Sequence, residues 1–295
     1  MRAGQPLARP QRACCRSRQR PSHSDRHLDV TPGCVCFTSL VCAAPMLVVA
    51  DQMGSWLDFW NRPNAIYVNE RHKAAHYATL LAGVSGFMPA GAATVVLDWG
   101  CGDALAAQKL VRLCGTLLLY DAAPTTRDRL RSRLPSQSQI RVLDDAELEA
   151  TRSSSLDLII VNSVVQYLSR QQFIQALQLF NRLLKSNGRL LLGDIIEPST
   201  PLISHIGTFL HFAFRNRFFW AAVLGLLRNF TSDYRRLRRS AGYACYTTAE
   251  MLGVLRQNGF VAERLSRNIA VSQHRASYVA CKVASVAGRS LQSRS

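Results

Sequence analysis

From Trp56 onward the chain alternates short, continuous apolar runs with longer segments in which apolar residues recur every three or four positions. The runs are Thr94–Trp99, Thr116–Tyr120, Ile140–Leu143, Leu156–Asn162 and Arg189–Ile196, with Phe260–Leu265 and Ser277–Val283 near the end. Runs this short, and apolar at nearly every position, suit strands buried on both faces, as in a parallel sheet covered by helices. The intervening segments predict helices over Trp56–Gly83, broken at Asn61-Arg62-Pro63-Asn64, over Ala104–Leu113, and from Ala122-Ala123-Pro124 to Leu134. A further helix, Gln171–Lys185, carries Phe173, Ile174, Leu177, Phe180, Leu183 and Leu184 on its apolar face. Ser186-Asn187-Gly188 reads as its C-cap. Thr247, with Glu250 three residues later, reads as a capping box for the last helix, which Asn258-Gly259 ends. Alternating strands and helices predict an α/β fold.

Two segments depart from this rhythm. Residues 198–240 form an insertion before the closing strands. Leu202, Ile203, Ile206, Phe209, Leu210 and Phe214 fit one helix face, and Phe218 to Leu227 is a second apolar run. Arg215, Asn216 and Arg217 separate the two, so neither reaches the roughly 20 residues that span a bilayer. Three readings are open: a helical cap over an apolar substrate pocket, a helical hairpin packed on the core, and a helix lying on a membrane surface. Residues 1–52 are rich in Arg, Pro, Ser and Cys and show no sustained periodicity. They read as an extension to a folded domain at 53–295. Val35 to Ala50 imitates a signal-peptide core behind a basic segment; the other reading is an upstream start codon, with the functional protein beginning near Met46 or Met53.

The formal net charge of +17 brings nucleic acid and anionic membrane into consideration as partners. The charge is spread along the chain. There is no basic-aromatic ribonucleoprotein signature and no zinc-finger spacing, so a nucleic-acid partner is not expected. Residues 202–240 hold seven Arg against one Asp, which leaves peripheral contact with a membrane open through 198–240. Five of the nine cysteines fall before residue 43 and the rest are scattered, as expected of a cytoplasmic protein without a disulfide framework. No metal site is expected: Cys34 and Cys36 lack a second ligand pair.

The chemistry concentrates in Val95-Val96-Leu97-Asp98-Trp99-Gly100-Cys101-Gly102-Asp103-Ala104. A strand enters a Gly-x-Gly turn and a helix follows, which offers bare backbone and a helix N-terminus to a nucleotide-like ligand. Asp121, at the end of the next strand and 19 residues past Gly102, can accept both hydroxyls of a ribose. With its Leu-Asp-x-Gly-Cys-Gly string, the chain resembles the class I S-adenosylmethionine-dependent methyltransferases from about Trp56 to the C-terminus. Ala104 replaces the usual last Gly of that motif and asks for a φ below zero. The string Leu183-Leu184-Lys185-Ser186-Asn187-Gly188-Arg189-Leu190 is similar to a second family motif.

The resemblance implies a Rossmann-like sandwich with a mostly parallel seven-stranded sheet, an antiparallel edge strand and, here, the helical insertion. It implies S-adenosylmethionine as cofactor. Gly100, Cys101 and Gly102 would face the amino-acid and ribose portions, Asp98 would support that end, and Asp121 would hold the ribose hydroxyls. Ala122 would pack on the adenine, Asp145 or its neighbour would accept from the adenine amino group, and Asn162 would mark the substrate edge. Gln166 and Tyr167 are candidates for the acceptor pocket. No catalytic base stands out among His72, His76, His205 and His211. Asn162-Ser163-Val164-Val165 stands where base-methylating nucleic-acid enzymes carry an Asn-Pro-Pro-Tyr-type motif. The expected acceptor is therefore a small, apolar or amphipathic molecule held under the insertion. A non-catalytic cofactor-binding protein and a nicotinamide-dependent oxidoreductase are the alternatives; against the latter, Leu105 stands where G-x-G-x-x-G needs Gly or Ala.

Overall fold

The structure, a computed structural model, describes residues 56–61, 67–134, 139–198, 202–229 and 242–283. The expectations for residues 1–52 and for the arginines at 235–239 lie outside the described residues.

Seven strands form one sheet: β1 (Val95–Trp99), β2 (Thr116–Tyr120), β3 (Ile140–Val142), β4 (Leu156–Asn162), β5 (Leu184–Ile195), β6 (Phe260–Arg264) and β7 (Ala276–Lys282). Their order is β3-β2-β1-β4-β5-β7-β6. β1 to β5 pair in parallel, and β7 runs antiparallel to both β5 and β6. The order reverses between β1 and β4, the crevice where open α/β sheets bind ligands.

The helices are α1 (56–61), α2 (Glu70–Ser85), α3 (Ala107–Leu110), α4 (Pro124–Arg133), α5 (Asp145–Glu149), α6 (Arg170–Leu183), α7 (Leu202–Arg215), α8 (Phe219–Asn229) and α9 (Thr248–Gln257). The apolar runs read as they do because both sheet faces are covered. Val96, Leu117, Leu119, Leu158 and Ile160 point into a core shared with α2, α3 and α4. Leu97, Leu118, Ile159 and Val161 point the other way, into a core with Phe173, Leu177 and Phe180 of α6 and Met251 of α9. Neighbours along a strand thus serve opposite cores, as the two-residue period requires.

Three local expectations need correction. The helix after the glycine turn begins at Ala107, not Ala104, and gives way to a 3₁₀ turn at Val111–Leu113. α6 stops at Leu183, and the next residue, Leu184, is already extended and paired with Leu156. Ser186-Asn187-Gly188 is therefore part of β5 and not a C-cap. The reason is packing: a Cβ on Gly188 would lie 2.9 Å from the Leu156 carbonyl oxygen, so the glycine serves a close strand approach. The third concerns Ala104 and belongs to the site.

In the insertion, α7 and α8 form a hairpin around Ala213, Phe218 and Ala222. It packs on the start of α2 through Val68, Ala75 and His72; the His72 ring stacks on Phe218 at 5.0 Å. At its far end, Thr247 caps α9 with the expected capping box.

Candidate active site

The site grows from the end of β1. Gly100 and Gly102 take φ of +77° and +54°, which side chains rarely adopt. At Gly100 space is also closed: a Cβ would come within 2.3 Å of Val164 Cγ2. The backbone N–H groups of Gly100 and Cys101 both donate to the Tyr120 carbonyl, at 2.7 and 3.1 Å. Asp121 then completes the tie. Its Oδ2 accepts from Gly102 N–H at 3.0 Å and its Oδ1 from Ala123 N–H at 2.9 Å. Ala104 has φ +40°, against the negative φ expected of an alanine. The loop keeps the conformation its usual glycine would give it, closed by the Ala104 N–H to Cys101 carbonyl bond at 3.1 Å, and the alanine bears the strain.

A cavity of about 1060 Å³ opens over this loop, at the carboxyl ends of β1, β2 and β4. Every residue singled out for the cofactor lines it: Asp98, Gly100, Cys101, Gly102, Asp121, Ala122, Asp145 and Asn162. The two acids after β3 are placed differently. Asp144 is the N-cap of α5, its carboxylate taken by Glu147 N–H at 2.8 Å, whereas Asp145 lines the cavity. The Asp145 carboxylate accepts from Tyr120 Oη at 2.7 Å and pairs with Arg127 at 3.1 Å. Arg127 also donates to the Asp121 carbonyl at 2.8 Å, so one buried guanidinium links the two acidic corners.

Lys73, Arg129 and Arg133 also line the cavity, the first two paired with Asp103. Burial, and then the neighbouring Asp121, push Asp98 up to about 7. Burial also raises Asp121, against the hydrogen bonds from Ala123 and Gly102 that favour its charged form. Asp98 has only 8% of its surface exposed. Trp99 Nε1, a buried donor on the cavity wall, has no hydrogen-bond partner. A buried acid that regains its charge beside a cation, bare glycine backbone and an unpaired donor together suit a ligand with an amino group and a ribose.

The cavity is also rich in aromatic side chains. Trp56 and Trp60 of α1 lie over it, with Trp56 4.6 Å and Trp60 5.7 Å from the Tyr167 ring. α1 is anchored by Thr125 Oγ1, which donates to the Asn61 carbonyl at 3.0 Å. Tyr67, His76 and Tyr77 line the cavity as well, with Tyr77 Oη 3.2 Å from where a Cβ on Gly102 would stand. His76 is the only candidate histidine among those described that reaches the cavity. His72 turns to Phe209 and Phe218, and His211 is exposed. Tyr167 lines the cavity, but Gln166 is buried behind it and accepts from Arg275 at 3.1 Å.

None of the described residues of the insertion lines the cavity. Phe209, Phe212 and Phe218 pack on α2 instead, so the expectation that this segment holds the acceptor gives way to a roof made by α1. A further set of residues escaped the sequence reading. Asp194, at φ +64°, accepts from Ser163 Oγ at 2.7 Å and Asn268 Nδ2 at 3.1 Å, and pairs with Arg275 at 2.6 Å. This network fixes Ser163, which also has positive φ and lines the cavity. Only the position of Asp194 at the carboxyl end of β5 could have signalled it. No group of His, Cys, Asp or Glu among the described residues is arranged to hold a metal ion.

Residues 97–192 match the family model described as "Methyltransferase domain". Among solved structures, the methyltransferase partner of the Haloferax volcanii Trm112 methyltransferase activator is 14% identical over 77% of this chain and 97% of its own, with a TM-score of 0.52. The Burkholderia thailandensis 1,6-didemethyltoxoflavin-N1-methyltransferase, solved with 1,6-didemethyltoxoflavin and S-adenosylhomocysteine, is 15% identical over 83% and 93%, with a TM-score of 0.51. A SAM-dependent methyltransferase of Leishmania major is 10% identical over 78% and 82%, with a TM-score of 0.50. No curated protein matches the chain in sequence. At these identities the structures establish the fold. The family model adds that residues 97–192, from β1 into β5, resemble a methyltransferase domain.

Proposed function

We propose that the protein transfers a methyl group from S-adenosylmethionine to a small, apolar or amphipathic molecule in the cytoplasm. The observation that carries this reading is one cavity lined by both acidic and aromatic side chains. Its volume, about 1060 Å³, lies at the top of the ~300–1,000 Å³ range of ligand sites, room for two ligands side by side. Asp98, Asp121 and Asp145 suit the cofactor; the aromatic group of Trp56, Trp60 and Tyr167 suits an apolar acceptor. In Burkholderia the toxoflavin enzyme of the same fold acts on a small molecule.

S-adenosylmethionine supplies a methyl group on a sulfonium, open to in-line displacement, so the protein's work is positioning and exclusion of water. In this reading Asp98 meets the cofactor's ammonium group. Asp121 accepts the ribose hydroxyls with the lone pairs that Gly102 and Ala123 leave. Ala122 packs on the adenine, and Asp145 accepts from its amino group. Gly100, Cys101 and Gly102 present backbone, and Asn162 marks the border with the acceptor. The tryptophans of α1 shield the cavity against water. His76 is held neutral, because burial lowers its pKa more than Asp194 raises it. For a hydroxyl acceptor it is the residue placed to take the proton at neutral pH.

Labelled S-adenosylmethionine, offered with a cell extract split into lipid, small-polar, protein and nucleic-acid fractions, tests the reading. Label in the organic-soluble fraction is the expected outcome. Label only in protein or nucleic acid contradicts it. Tight cofactor binding with no transfer to any fraction would assign a binding protein.

A further inference from the structure

The α7–α8 hairpin has one face that the fold leaves uncovered. Its inner side is closely fitted: a Cβ on Gly225 would meet Val68 Cγ1 at 2.4 Å, and Ala213, Phe218 and Ala222 are buried. Its outer side carries Trp220, Leu224 and Leu227, at i, i+4 and i+7 on α8, with 81%, 48% and 61% of their surface exposed. Phe214, at the end of α7, is 71% exposed and makes an edge-on contact with Phe219, whose ring in turn meets Trp220. The aromatic cluster sits at the hairpin turn. The same turn carries Arg215 and Arg217, both exposed, and Arg71 donates to the Arg217 carbonyl at 3.1 Å and holds the turn on α2.

We infer that this face docks on an anionic lipid bilayer, with Phe214, Trp220, Leu224 and Leu227 entering the interface and Arg215 and Arg217 meeting lipid phosphates. Charge selects this occupant. Residues 202–240 hold seven Arg and one Asp, within a chain of net charge +17. Of the seven, Arg215 and Arg217 are both exposed at the turn; two copies of that turn would repel each other, whereas a leaflet of anionic lipid attracts it. The residue types agree: aromatic rings beside arginines are what the headgroup boundary accommodates. No described helix is long and apolar enough to cross a membrane, so the contact is peripheral. The inference stands apart from the methyl-transfer reading, since docking needs neither cofactor nor acceptor. It also gives the hairpin's outer aromatic residues a use, which the cavity does not.

Co-sedimentation of the full chain with sucrose-loaded vesicles tests it. The protein should pellet with phosphatidylcholine–phosphatidylserine vesicles, far less with phosphatidylcholine alone, and salt should release it. The Trp220→Ser/Leu224→Ser variant changes only exposed positions and should lose at least about tenfold in vesicle affinity at unchanged melting temperature. Arg215→Gln/Arg217→Gln should weaken binding and flatten its salt dependence. Equal pelleting of wild type and the Trp220→Ser/Leu224→Ser variant would overturn the inference. So would equal binding to neutral vesicles, or a dimer that Trp220→Ser dissolves in a protein that ignores vesicles.

Discussion

Asp121 Oδ2 accepts from the backbone N–H of Gly102 at 3.0 Å, so the residue that ends β2 holds the loop that ends β1. One carboxylate has two tasks, keeping the loop in its ligand-ready shape and facing the cavity. Asp121→Asn keeps the shape and one acceptor oxygen but removes the charge. It is expected to cost about 1–2 kcal/mol of stability through the weakened loop bonds. Affinity for S-adenosylhomocysteine should fall further than stability does. Thermal melts with and without ligand read both quantities.

Gly100 and Gly102 separate backbone strain from space. Gly100→Ala meets both, a φ of +77° and Val164 at 2.3 Å; Gly102→Ala meets the φ of +54° but only Tyr77 Oη at 3.2 Å. Gly100→Ala should abolish cofactor binding, and Gly102→Ala should leave it measurable. Gly100→Ala/Val164→Ala should recover part of the loss, because the added methyl then has room. Titration calorimetry on the three variants tests the order; equal losses in all of them would rule out the steric argument.

Ala104 offers the reverse experiment. A left-handed backbone costs an alanine roughly 1–2 kcal/mol, and the extra freedom of glycine in the unfolded chain returns about half of that. Ala104→Gly should therefore raise stability by about 0.5–1 kcal/mol, seen as a higher melting temperature. A lower melting temperature would mean that the φ of +40° carries no strain.

Asp98 gives cofactor binding a pH dependence. Its carboxyl is raised from 3.8 to about 7 by burial and by Asp121. A raised acid favours the folded state below its unfolded pKa, and that contribution fades as pH climbs from about 4 through 7. Binding runs the other way, since a cationic ammonium group beside Asp98 needs the carboxylate. Affinity for S-adenosylhomocysteine should rise by up to tenfold per pH unit below 7 and level off above it, with a proton released on binding. Calorimetry in buffers of different ionisation enthalpy reads that proton. Asp98→Asn should bind weakly at every pH and release none.

His72 links acidity to the hairpin. Burial, and then His76, lower it to about 4 where it stacks on Phe218. A depressed base favours the folded state above about 6.5, and that contribution is lost as pH falls through 4. Acid should therefore loosen α7–α8 from α2 first. Hydrogen exchange should show amides of the hairpin opening below pH 5 before those of the sheet, and His72→Phe should delay that opening.

The strands and the glycine loop after β1 were legible because they depend on local rules. Both-face burial writes continuous apolar runs such as Leu156–Asn162, and a tight loop demands glycine at 100 and 102. The end of α6 was not legible, since Gly188 is required by the Leu156 carbonyl across the sheet, a contact no local pattern carries. The roof was half legible. Trp56 and Trp60 stand out, but only the fold brings them to Tyr167, more than a hundred residues away. The place of the acceptor under the insertion was misread for the same reason: Phe209, Phe212 and Phe218 turn to His72. Asp194 and Arg275, 81 residues apart, leave no mark that sequence spacing could reveal.

The central claim is that the acidic part of the cavity, at the tips of β1 and β2, holds the cofactor. The most direct test is calorimetric titration of the full chain and of Asp121→Ala with S-adenosylhomocysteine, with NADH as the control ligand. One-site binding to the wild type is expected. Asp121→Ala should lose about 1.5–3 kcal/mol, ten- to a hundredfold in affinity, because charge-assisted hydrogen bonds are removed. NADH should give no heat. Binding of NADH without S-adenosylhomocysteine, or binding of S-adenosylhomocysteine that Asp121→Ala leaves untouched, would contradict the claim.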